Sequence, residues 1–246
     1  MTKKIHFDLD DTERATKILE ILDDHYGEVG CTLNYQGDPW LLLVGGILAA
    51  QATDERVNKI LPDFLAKYPT IEDVALSSQE EMEDIIRTVG LFRNKAKWIR
   101  GSAAKILEDF DGEVPKGEKE LLSLPGVGRK IANLIRGDAF GIPGVVVDTH
   151  CGRITRHLGL SEAKNPATVE KDLKAILPQS LWIHWGHMMV HHGRNLCPAR
   201  SPQCSACPVE ELCVTGRQEQ LRVQAQIAEQ KEQEKQKEQA EGGQDA

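Results

Sequence analysis

Lys130 and Asp148 are the residues of this chain whose types and surroundings suggest covalent chemistry. Lys130 lies in "LPGVGRKIANLI" (124–135), where two glycines, a proline and two adjacent cations interrupt an apolar helical pattern. A lysine amine attacks an electrophilic carbon to form a Schiff base only when it is neutral, and partial burial beside the positive end of a helix favours that form. A lysine near a helix N-terminus equally suits a plain phosphate contact. Asp148 ends the apolar run of "VVVDTH" (145–150) and leads into the next helical stretch. Aspartate there is a common N-cap. Capping and catalysis are compatible, because a cap fixes the carboxylate on a rigid element.

Four of the six cysteines, Cys197, Cys204, Cys207 and Cys213, are spaced C-x6-C-x2-C-x5-C. Without a secretion signal, such clustering favours a metal site over disulfides. Four thiolates hold either tetrahedral zinc or a [4Fe–4S] cluster, and the spacing leaves both open. The neighbouring Arg194 and Arg200 suit a loop that meets phosphate. Cys31 and Cys151 stand apart and read as buried, inert thiols. His184, His187, His191 and His192 form no convincing ligand set and read as packing and surface.

These groups need elements to hold them. Leu121, Leu122 and Leu124 sit at helical spacing before the glycines, and Ile131, Leu134 and Ile135 resume the stripe after them. Pro125 and Gly126 stop the first helix and Gly128 permits a tight turn, which predicts a helix-hairpin-helix over about 118–137. Backbone N–H groups of Gly126, Val127 and Gly128, with Arg129 beside them, are expected to face phosphate and bind duplex backbone without reading sequence. Helical periodicity recurs at 12–26, 39–50, 54–67, 70–76, 79–89, 92–110, 118–124, 128–140, 149–158, 166–177 and 181–192. The expected class is therefore all-α, with about ten helices. "GVVV" (144–147) is too short to found a sheet, and 217–246 reads as a polar Gln/Glu/Lys tail, disordered or loosely helical.

The chain has 246 residues and a net charge of −8, which argues at first against a polyanionic partner. Residues 91–136, around the hairpin, nevertheless carry ten basic and six acidic side chains, a local surplus able to bind phosphates with less long-range steering. No apolar run approaches the roughly 20 residues that span a bilayer, and the acidic N-terminal segment lacks the apolar stretch of a signal peptide. The expected location is cytoplasmic, on the nucleoid.

"ILAAQATD" (47–54), "VGLFRNKA" (89–96), "LPGVGRKIAN" (124–133), "VVVDTH" and the cysteine array occur in that order. Over about 47–213 the sequence thereby resembles the endonuclease III family of helix-hairpin-helix DNA glycosylases. The resemblance implies two helical domains with a DNA cleft between them, one at 31–143 holding the hairpin and one at 1–30 plus 144–216 holding a [4Fe–4S] cluster on the four cysteines. It implies Lys130 as nucleophile and Asp148 as its carboxylate partner. It also implies Gln51 filling the space of a flipped base, Leu91 wedging into the duplex and His150 contacting DNA. Adenine-mismatch relatives lack the lysine and add a further domain, thymine-mismatch relatives carry tyrosine there, and oxoguanine glycosylases generally lack the cluster. The implied activity is thus that of a monomeric, bifunctional glycosylase and AP lyase on duplex DNA with damaged pyrimidines or abasic sites. The alternatives are a monofunctional mismatch glycosylase and a non-catalytic DNA-binding protein with a structural metal.

Overall fold

The computed structural model of the chain describes residues 5–242, with side chains to residue 233. Among the described residues there are α-helices and short helical turns and no β-strand. The α-helices are α1 (Asp11–Tyr26), α2 (Pro39–Leu48), α3 (Asp54–Lys67), α4 (Ile71–Leu76), α5 (Gln79–Ile86) and α6 (Phe92–Asp109). They continue with α7 (Glu118–Leu122), α8 (Arg129–Leu134), α9 (Thr149–Leu158), α10 (Pro166–Ile176), α11 (Trp182–Asn195) and α12 (Val214–Gly242).

Capping explains most boundaries. Asp10 accepts from the amides of Thr12 and Glu13 while Glu13 reaches back to the Asp10 amide, and Thr70/Asp73 and Ser78/Glu81 repeat this box at α4 and α5. Asp38 caps α2, with Pro39 at its first position. α2 ends at Leu48, two residues before the expected end, because the chain turns through Ala49–Ala52. α5 likewise stops at Ile86 rather than 89.

The chain forms two compact units. One comprises Val29–Asp148 and Pro178–His187; its core is built on α2, nine of whose ten residues are buried. α2 approaches α8 closely at Gly46, where an added Cβ would lie 3.1 Å from Ile131 Cγ2. Residues 144–148 and 178–187 belong to this unit, not to the cysteine-bearing one expected for them. The reasons are local: Asn133 Nδ2 donates to the Val145 carbonyl, Gly186 packs on Val146, Gly137 packs on Ile183, and His187 Nε2 lies 2.7 Å from Asp138 Oδ1. The other unit comprises Met1–Glu28, Thr149–Leu177 and Met188–Ala246. Within it the buried Arg14 donates to the carbonyls of Leu158 and Leu212, tying α1 to the end of α9 and to the cysteine loop.

One expectation needs correcting. The stretch 128–140 is not one α-helix: α8 has six residues and passes into a π-helical turn at Ile135–Ala139, held where the Tyr35 hydroxyl donates to the Asp138 carbonyl. The tail is helical from Val214 to Gly242, exposed on all sides from Leu221 to residue 233. Its first turns are anchored by Arg217 to Glu211 and by Gln220 to Glu210 and Glu211. Residues 243–246 of the expected tail lie outside the described residues. No described helix is long and apolar enough to cross a membrane.

Candidate active site

The hairpin is closed from within. Gly126 has φ +78° and lies against Trp98, where an added Cβ would come 2.8 Å from the Trp98 Cβ, so only glycine fits. Val127 is buried and its amide donates to the Leu124 carbonyl. Its N–H therefore closes the turn and does not point outward, contrary to the expectation for it. Gly128 is exposed and N-caps α8 with no side chain bonding the first amides, so that end of the helix is open. Arg129 is about half exposed and pairs with Glu118 at 3.2 Å, a surface bridge of small energetic weight.

Lys130 stands exposed in the first turn of α8. The partial burial expected for it is not found. One turn further, Asn133 is 3% exposed and holds Val145. The segment 144–147, which is neither helix nor strand, is fixed there and delivers the half-buried Asp148 directly before α9. Asn133 was not singled out from sequence, although its i+3 spacing from Lys130 within an apolar stripe was a usable signal.

Gln51 and Leu91 share an unusual backbone state, with φ of +56° and +59°. Neither is glycine, and the same state recurs at Gln36 and Asp111, so both turns hold a backbone conformation that L residues seldom adopt. Both are exposed, Leu91 at 48%. The two turns are linked by a residue not singled out from sequence. Lys95 is fully buried, and its Nζ donates to the Leu48 carbonyl at 2.8 Å.

In the cysteine-bearing unit, Cys197, Cys204, Cys207 and Cys213 line one pocket with Ile154, Leu158, Leu196, Val209 and His192. It encloses about 380 Å³ of empty space, part of it open to solvent. Burial pushes the Cys207 thiol up to about 12 and the Cys213 thiol up to about 11, and raises Cys197 and Cys204 as well. Any metal bound there displaces these protons. Among the described residues no group of three or more His, Cys, Asp or Glu is arranged to hold a single metal ion. His192 Nε2 lies 3.7 Å from Cys207 Sγ while its Nδ1 meets the Tyr26 hydroxyl at 2.9 Å. His150 Nδ1 lies 3.3 Å from Arg153, whose guanidinium also donates to the Cys197 carbonyl at 2.7 Å. His184 and His187 belong to the hairpin unit, and His191 and His192 to the other. Cys151 is buried, and Cys31 is half-buried with its thiol pushed up to about 12, first by burial and then by the neighbouring Asp138.

Residues 44–179 match the HhH-GPD superfamily of base excision DNA repair proteins. Endonuclease III of Synechocystis sp. is 48% identical over 202 residues, covering 82% of this chain and 92% of that protein. Endonuclease III of Escherichia coli is 38% identical over 203 residues, 81% of this chain and 94% of that protein. A solved endonuclease III–DNA covalent intermediate, trapped in an estranged-adenine complex, superposes with a TM-score of 0.81 at 38% identity, covering 86% of this chain and 99% of that one.

Proposed function

The chain belongs to the HhH-GPD superfamily of base excision DNA repair proteins, and from that membership we propose a bifunctional glycosylase and AP lyase that removes oxidised or damaged pyrimidines from duplex DNA. The observation that carries this reading is α8. It opens uncapped at Gly128, carries Lys130 in its first turn, and through Asn133 grips the segment that ends in Asp148. One short helix thus presents an amine and steadies a carboxylate.

The target base is out of reach within the stack, so it is turned out of the duplex. Leu91 wedges into the helix and Gln51 fills the vacated space. The exposed side chains on left-handed turns support both roles. Gly126, Gly128 and Arg129 meet phosphate, Val127 braces the hairpin from inside, and His150 contacts DNA. The neutral Lys130 Nζ attacks C1′ of the sugar, the glycosidic bond breaks, and the base leaves with the bonding electrons. Asp148 stabilises the positive charge developing on the sugar and takes the proton shed by the amine. The ring then opens to an iminium at C1′, with O4′ taking up the proton that Asp148 holds. Loss of a C2′ proton then expels the 3′ phosphate and cleaves the strand. Enclosure of Lys130, which the free protein leaves exposed, comes from the bound duplex.

Cys197, Cys204, Cys207 and Cys213 fit a [4Fe–4S] cluster better than zinc. Four thiols around one pocket, with no group arranged to hold a single metal ion among the described residues, suit a group that gives each sulfur its own iron. Bound, the cluster fixes the loop 197–213, and no bond of the substrate breaks on it. The enzyme acts as a monomer, in the cytoplasm where the DNA lies.

The test is incubation with a thymine-glycol duplex, scoring base release and strand cleavage separately. Both are expected. Release without cleavage means a monofunctional glycosylase, and binding with neither means a non-catalytic DNA-binding protein.

A further inference from the structure

Lys95 is the one lysine of the basic stretch 93–97 that does not face solvent: it is 0% exposed. Among the described residues no carboxylate pairs with it, and its side chain makes one hydrogen bond, to the Leu48 carbonyl. Burial lowers its pKa, as expected for an ammonium without a counter-charge. A cation held this way is poorly explained by stability, since an apolar side chain of the same length fills the space without desolvation. What the charge offers is a directed bond to the C-terminal end of α2, where helix carbonyls lack partners and the macrodipole is negative.

That bond joins two special turns. Leu48 is the last residue of α2, and the chain beyond it reaches the left-handed Gln51 through a turn closed by Ala52 N–H on the Ala49 carbonyl. On the other side, the Lys95 amide itself donates to the carbonyl of left-handed Leu91 at 3.0 Å. Lys95 therefore grips the Leu91 turn with its backbone and the base of the Gln51 turn with its side chain. A second, exposed tie runs parallel: Arg56 Nη1, in the first turn of α3, donates to the Thr88 carbonyl at 2.8 Å.

We infer that Lys95 is a positioning residue that locks the Gln51 turn to the Leu91 turn, so that gap-filling and wedging side chains enter the duplex as one unit. This rests on the DNA roles proposed above for those two residues. Without the tie each turn is free to relax from its left-handed state, and the pair no longer matches a single gap in the stack.

The experiment uses the full chain purified with its metal. Lys95→Met keeps length and apolar bulk and removes the donor. Excision of thymine glycol paired with adenine is expected to slow at least tenfold, while cleavage of a ready-made abasic duplex stays within twofold. A 2-aminopurine placed beside the lesion should report less unstacking, as lower fluorescence in the complex. Adding Leu91→Ala to Lys95→Met should cost no more than twofold beyond Leu91→Ala alone, because a wedge without its anchor is already lost. Equal loss on both substrates, unchanged 2-aminopurine fluorescence, or multiplicative losses in the double variant would each overturn the proposal. If Lys95→Met does not fold, Arg56→Met, at an exposed position, must show a smaller loss confined to the paired lesion; uniform loss there also overturns it. Selective loss in Leu91→Ala and Gln51→Ala but not in Lys95→Met removes the tie alone. No selective loss in any of them removes the wedge reading itself.

Discussion

Asp148 follows a segment held by Asn133, and the residue is half-buried directly before α9. Asp148→Asn keeps the shape and hydrogen-bonding capacity of a cap while removing the negative charge. Base excision in single turnover is expected to fall by about 100-fold or more, the scale set by losing one electrostatic contact to a developing charge, with duplex affinity changed little. An unchanged rate would reduce Asp148 to a helix cap. The places of Lys130 in the first turn of α8 and of Asp148 directly before α9 were legible in the sequence, because each stands beside a helix start with an abrupt change of residue type. Lys95 was not, since it sits among Arg93 and Lys97 and looks solvated. The missed clue is that position 95 falls on the stripe of Phe92, Ala96 and Ile99, which α6 turns inward. Val127 is the reverse case, a residue assigned an outward amide that the hairpin uses to close itself.

At the scale of elements, the starts of α2, α3 and α5 showed in the helical periodicity at 39, 54 and 79, where Asp38, Thr53 and Ser78 cap the amides that follow. The π-helical turn after α8 did not, because it depends on Tyr35 and His187 bracing Asp138 from distant parts of the chain. The start of α6, expected at 92 and found there, has no side-chain cap: Leu91 occupies the N-cap in a left-handed conformation with 48% of its surface exposed. Leu91→Ala should therefore leave stability within about 1 kcal/mol of wild type, whereas a core leucine would lose about 2–5 kcal/mol. Excision from paired lesions should fall, and cleavage of an abasic duplex should fall far less, because the wedge offsets unstacking. Melting temperature measured beside both rates decides the matter; a large drop in melting temperature with uniform loss of activity would return Leu91 to the core.

For the whole molecule, charge and composition were coarse guides: the net −8 averages over the basic surplus of residues 91–136, and the Gln/Glu/Lys composition of the tail allowed either disorder or the helix that forms. That helix buries nothing from Leu221 to residue 233, and its anchoring contacts end with Gln220. A chain ending at Arg222 should keep wild-type excision and about four irons per molecule, as one [4Fe–4S] cluster requires; loss of either would mean that the distal helix packs on the enzyme when DNA is bound. The central claim is that protein and DNA become one covalent molecule through Lys130. Borohydride reduction during reaction with an abasic duplex, followed by mass spectrometry of the cross-linked peptide, tests it most directly. Wild type is predicted to give an adduct on Lys130, and Lys130→Gln to give none while still binding the duplex through Gly128 and Arg129. A full-strength adduct in Lys130→Gln, or an adduct mapped to another lysine, would contradict the account.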